Sequence, residues 1–176
     1  MQGHTLKRII LLSIALLFAS GLRQIALAQE AELDLYTKIT GAIEAKEPEW
    51  KLNRKALLPN QVIIRWSSEK GRVLVAVALF PSESDAAEAF KSKVDDLEHA
   101  PESKVSKKAL KDFGEAGYIL KNGGGSGASI VFRKGSHVVQ IYGPTENVAR
   151  SFSKHIVELL PTSNNHPGTT LSKRSF

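Results

Sequence analysis

Apolar residues recur along this chain in two rhythms, one of period near 3.6 and one of period two. The helical rhythm comes first. Leu35, Ile39, Ala42 and Ile43 fall at i, i+4, i+7 and i+8, with Leu33 and Tyr36 beside them. One stripe results, so a helix is expected over 30–46. Gly41 weakens it by roughly 1 kcal/mol relative to alanine. Pro48 stops it, and Glu47 before the proline is pushed towards extended geometry. Residues 50–60, with Leu52, Leu57 and Leu58, read as a connector closed by Pro59 and Asn60.

The rhythm then changes to alternation. Val62, Ile64 and Trp66 share one face of 61–67; Ile63, Arg65 and Ser67 share the other. A strand is expected there, followed by a turn over Ser68-Glu69-Lys70-Gly71. Residues 72–80 are apolar on both faces, the mark of a central strand covered at least partly on both sides. Ser82 and Asp85 then fit a capping box, and Ala86, Ala89, Phe90, Val94 and Leu97 give the next helical stripe. Pro101 closes it. The polar run 102–111 reads as a connector carrying Lys104, Lys107, Lys108 and Lys111.

The stretch from Phe113 to Leu160 is the most legible. Strands are expected over 116–121, 128–133 and 136–142, separated by the glycine loop 122–127 and the Lys134-Gly135 turn. Gly143-Pro144-Thr145 opens a last helix with the stripe Val148, Phe152, Ile156 and Leu159. Pro161 ends it, and 161–176 has the polar composition of a flexible tail.

A shift of 62 positions lays the first strand–helix unit on the second. Val77 falls on Val139, Leu79 on Ile141, Phe90 on Phe152 and Val94 on Ile156. Internal duplication of a ββα unit explains this, and so does the plain need of any such unit to bury one face. Either way both helices leave their strands at the same phase. The expected fold is α+β: a twisted antiparallel sheet of about five strands, with helices packed mainly on one face.

The N-terminus changes the reading of charge. Lys7 and Arg8 precede the apolar run 9–19, and Ala26-Leu27-Ala28 follows. These are the three parts of a secretory signal peptide, too short to span a bilayer. Cleavage after Ala28 is expected, giving a signal peptide over 1–28, one domain over 29–160 and the tail. It removes three of 24 basic residues and none of 18 acids, halving the formal charge of +6. A nucleic-acid partner loses its main support. The chain has no cysteine, so disulfides, thiolate metal sites and a lipoprotein anchor are excluded.

Chemistry is sparse. Gly123-Gly124-Gly125-Ser126-Gly127-Ala128 echoes a phosphate loop, but a strand follows where a helix N-terminus is required. No histidine pair has metal-ligand spacing, adjacent Asp95 and Asp96 point apart on a helix, and no G-x-S-x-G is present. No cofactor is expected. The residues placed in a candidate ligand or partner surface are Trp50, Trp66, Arg133, Lys134, His137 and Tyr142.

Three blocks of the chain resemble small exported bacterial domains of unknown function. They are Phe113-Gly114-Glu115-Ala116, Ile130-Val131-Phe132-Arg133-Lys134-Gly135, and Val138-Val139 with the closing helix. The resemblance implies an exported α+β module and carries over no catalytic residue. The leading expectation is an exported, non-catalytic domain that binds a protein or small molecule in the cell envelope. Two alternatives stand beside it. One is a secreted hydrolase assembled from scattered residues such as Ser126, His137 and Glu115. The other is an envelope protein holding anionic surfaces through Lys104–Lys111.

Overall fold

The computed structural model describes residues 30–99, 105–122 and 127–161. The expected signal peptide, Lys104, Ser126 and the tail beyond residue 161 lie outside them. The chain runs as α1 (30–46), β1 (Lys51–Leu58), β2 (Gln61–Ser68), β3 (Gly71–Leu79), α2 (Glu83–Glu98), β4 (Val105–Leu110), β5 (Ala116–Asn122), β6 (Ala128–Lys134), β7 (His137–Gly143) and α3 (Glu146–Leu159). Seven strands form one sheet in the order β1-β2-β3-β7-β6-β5-β4, and every neighbouring pair is antiparallel.

The alternation sets the register. Val62, Ile64 and Trp66 of β2 lie opposite Val77, Val75 and Val73 of β3. Val75 and Val77 lie in turn opposite Ile141 and Val139 of β7. All are buried on the first face, under Leu35, Ile39 and Ile43 of α1 and Phe152 and Ile156 of α3. Trp50 and Trp66 meet the Phe152 ring edge-on, at centroid distances of 5.6 and 5.5 Å. Such edge-to-face contacts suit the charge distribution of the rings and fix their packing. The second face carries a smaller core. Ala86, Phe90 and Val94 of α2 pack on Leu120, Val131 and Val138.

Two expectations about the sheet are corrected. It has seven strands rather than about five, because both presumed connectors are edge strands. β1 is exposed along nearly all its length, and β4 is exposed from Ser106 to Ala109, between a half-buried Val105 and a buried Leu110. Charged residues, lysine above all, are common on edge strands and discourage pairing with other chains; with most positions in water, these two strands lack the alternation by which strands are recognised.

The helices also do not share a face. α1 and α3 cover the first and α2 the second. The Phe80 N–H donates to the Ser136 carbonyl (2.9 Å), and Phe80 packs into the second-face core. The chain is therefore already on the second face when Ser82 caps α2. The cap holds as expected: Ser82 Oγ accepts the Asp85 N–H (3.1 Å). The Asp85 carboxylate, however, accepts the Ser82 hydroxyl (2.7 Å).

α2 packs against β4, β5, β6 and β7. Among the described residues no layer covers the second face over β1, β2 and β3. Half of one side of the sheet is open.

Candidate functional site: the open half-sheet

The open half-face is built by strand register. Arg54 of β1 lies opposite Arg65 of β2, Arg65 opposite Leu74 of β3, and Leu74 opposite Tyr142 of β7. Neighbouring strands are about 4.8 Å apart, so these four side chains form one row some 14 Å long. The next row holds Ala56, Ile63, Ala76 and Gln140. On the other side of the first row, Ser67 faces Arg72.

A bulge in β1 puts Arg54 in the row. Leu52 pairs with Trp66, but Arg54, not Asn53, pairs with Arg65. One extra residue on the edge strand re-aims every side chain before it. Asn53 Nδ2 donates to Ser67 Oγ (3.2 Å) at this irregularity.

Arg54, Ala56, Ile63, Arg65 and Leu74, with Lys55, line a shallow depression of about 210 Å³. Its floor is apolar and its rim cationic. Long arginine stems lie along apolar surface while the guanidinium stays in water, which accounts for Ile63 and Leu74 being half-buried without a covering layer.

The electrostatics are one-sided. Among the described residues Arg54, Arg65 and Arg72 form no ion pair. The nearby turn lysine is engaged: Lys70 holds Glu49 at 3.0 Å, and that contact keeps the Glu49 carboxyl below the usual carboxylate range.

The six residues singled out from sequence have different fates. Tyr142 is on the open face and 46% exposed. Its ring rests against Gly127, where an added Cβ would fall 2.4 Å from the phenol oxygen. Trp50 and Trp66 are core, 2% and 0% exposed. Arg133 pairs with Glu115 (3.3 Å), and Lys134 Nζ donates to the Val157 carbonyl near the end of α3 (2.7 Å). His137 stands opposite Leu79, at the far end of β7 from Tyr142. The structure therefore brings none of the other five to Tyr142.

Arg54, Arg65 and Arg72 are not among the six, although the 61–67 alternation already places Arg65 with Ile63 away from the buried face. Arg54 had no such signal, because it depends on the bulge.

The lysine-rich segment lies elsewhere. Lys107 is bound to Glu98 and sits 4.9 Å over the Tyr118 ring. Glu98 raises the Lys107 pKa, chiefly by accepting its hydrogen bond. β4 and β1 are opposite edges of the sheet, roughly 29 Å apart at about 4.8 Å per strand.

A second polar cluster joins α1 to α3. Glu47 Oε1 accepts the Ser151 hydroxyl and stands 3.1 Å from His155 Nε2. Ser151 Oγ is 3.5 Å from the same Nε2. In a nucleophilic triad the acid and the serine take opposite ring nitrogens. Here both crowd one nitrogen and the carboxylate holds the hydroxyl, so the arrangement is a clamp between helices. Of the residues named for a hydrolase, Ser126 lies outside the described residues and Glu115 is occupied by Arg133 and the Gly135 N–H.

Among the described residues no group of three or more potential ligands gathers around a metal position, and no helix is long and apolar enough to cross a membrane.

No protein-family model matches the sequence, and no curated protein matches it. Among solved structures, the chain is similar to a GTP binding regulator from Thermotoga maritima, at 15% identity and a TM-score of 0.42. The match covers 67% of this chain and 83% of that one. A likeness this distant does not bear on function.

Proposed function

We propose that this protein is a binding domain, exported after cleavage behind Ala28, whose ligand surface is the open half-sheet over β1, β2 and β3. One observation carries the reading: among the described residues, guanidiniums without an ion pair, apolar side chains and an exposed tyrosine occupy a half-face that no helix covers. Core-forming sheets bury both faces or turn a polar face to water. This face turns its arginines to water but sets Ile63, Leu74 and Tyr142 among them, and these suit a partner with an apolar side.

The export half of the reading rests on the N-terminal pattern alone. N-terminal sequencing of the exported protein is expected to begin at Gln29; a chain retaining Met1 contradicts it.

The binding half is tested by thermal shift against a library of envelope metabolites and cell-wall fragments. Ligands are expected that raise the melting temperature of the native chain and lose that effect in the Arg65→Gln, Leu74→Ser and Tyr142→Ala variants. Ligands that stabilise all three variants as strongly as the native chain would place the site elsewhere.

A further inference from the structure

The chemistry of the depression between Arg54 and Arg65 narrows the ligand, and this step rests on the open face being the binding surface. We infer that it takes a small amphiphilic anion, an apolar body ending in a carboxylate or phosphate.

The geometry supplies both halves of that description. Ala56, Ile63 and Leu74 form an apolar floor, and Arg54 and Arg65 face each other across neighbouring strands at its rim. A guanidinium presents a planar fork of donors that matches the oxygens of a carboxylate or phosphate. Two such forks on adjacent strands, with Arg72 on the same face, form a donor set with no acid of the described chain to satisfy it. A bare inorganic anion leaves the apolar floor wet; a neutral apolar molecule leaves the guanidiniums unused. A ligand joining both properties meets both surfaces.

Two other occupants are disfavoured. The chain's own remaining segments have the wrong charge. Residues 1–29, 123–126 and 162–176 contain no Asp or Glu, and 100–104 contain Glu102 next but one to Lys104. A flat anionic bilayer meets a step, because α2 stands on the other half of the same face and a packed helix is about 10 Å thick. A slender molecule reaches the floor beside it.

The test is an amide chemical-shift titration of the exported chain with hexanoate, hexyl phosphate, inorganic phosphate and hexylammonium at fixed ionic strength. Hexanoate and hexyl phosphate are expected to bind saturably and move the amides of Ile63, Arg65 and Leu74, with the tighter of the two naming the head group. Hexylammonium is expected to leave them unmoved, and inorganic phosphate to bind more weakly than its hexyl ester. In the Arg54→Gln/Arg65→Gln double variant the anion affinity is expected to fall about tenfold or more, since charge-assisted hydrogen bonds are lost. Both arginines reach solvent, and an unchanged circular dichroism spectrum confirms that the variant is folded.

Equal affinity in the double variant, or equal response to hexylammonium, overturns the inference. So does the absence of any shift with the anionic probes. In each of those cases a ligand from the thermal-shift screen that still maps to the face leaves the broader reading standing; loss of both overturns the two together.

Discussion

The carboxylate of Glu115 accepts the backbone N–H of Gly135 with both oxygens, at 2.9 and 3.1 Å. It also pairs with Arg133 Nη1 at 3.3 Å, while the Glu115 N–H donates to the Arg133 carbonyl at 3.0 Å. The β6–β7 turn is thus tied to the segment before β5 by one side chain. Arg133 is only 17% exposed at its side chain. Glu115→Ala leaves a mostly buried guanidinium with only the Gly135 carbonyl (3.3 Å) and strips the turn amide of its acceptor, so a loss of about 2 kcal/mol is expected. Urea unfolding measures it; a midpoint within error of the native one contradicts the tie.

Gly114 makes a sharper case than Gly135, although both have positive φ, 64° and 56°. A Cβ on Gly114 would sit 2.0 Å from the Arg133 carbonyl oxygen, whereas a Cβ on Gly135 meets nothing closer than 3.6 Å. Gly135→Ala is expected to cost about 1 kcal/mol, the ordinary penalty of the left-handed region. Gly114→Ala must also move backbone and is expected to cost more than twice that. Equal melting temperatures for the two variants would show that the carbonyl yields freely.

The sequence made the centre of this fold legible and hid its edges. Val62, Ile64 and Trp66 announce their strand because one face of it is buried, and Phe152 announces its helix for the same reason. Lys51–Leu58 and Val105–Leu110 carry no such signal, since these edge strands are exposed at most of their positions and have little reason to alternate. The 62-residue match was half informative. It pairs Val77 with Val139, and these two residues do stand opposite each other where β3 meets β7. It fails for the helices, because helix phase says nothing about which face the preceding loop enters; Phe80 decides that. The open half-sheet was hidden for a related reason. Arg65 alternates visibly, but that its face stays uncovered depends on where α2 travels.

Gly127 is expected to control Tyr142. Any side chain there displaces the phenol, whose oxygen lies 2.4 Å from the ideal Cβ position. Tyr142 is exposed and can swing outward, so Gly127→Ala should lower the melting temperature by no more than a few degrees. Its signature is local: the Tyr142 ring resonances shift, and ligand binding on the open face changes with them. An unchanged tyrosine spectrum in the alanine variant would mean the contact is absent in solution.

Glu146 carries the expected acid sensitivity. Hydrogen bonds from Lys121 first and Arg150 second hold its carboxyl at about 2, against an ordinary 4.5. A folded-state value below the unfolded one adds stability that is complete above about pH 4.5 and disappears as pH falls towards 2. The carboxylate also lies in the first turn of α3, where the helix end favours negative charge. Both partners are partly exposed, so Glu146→Gln should cost only about 1 kcal/mol at pH 7. Thermal melts of native and variant chains from pH 7 to pH 2 are expected to converge in acid. A difference that persists at pH 2 assigns the effect to packing.

The clamp between α1 and α3 supplies the last expectation. Glu47 follows directly on α1, and its Oε1 serves both Ser151 and His155 on α3. The side chains of Glu47 and His155 are each 16% exposed, so water replaces the lost contacts poorly. Lys46 and Glu158 make a second link between the same helices at 2.9 Å, but in solvent. Glu47→Ala leaves two polar groups without their shared acceptor and is expected to cost about 2 kcal/mol; Glu158→Ala removes a surface pair and is expected to cost under about 1 kcal/mol. Ser151→Ala removes one of the two bonds and should fall between them. Because the Glu47 carboxylate links α1 to α3 through Ser151 and His155, its loss should raise amide exchange along α1 before it affects β2 or β3. The Glu47→Ala and Glu158→Ala chains compared by urea midpoint and by hydrogen exchange decide the matter. Equal midpoints would show that the buried link adds nothing to the exposed one.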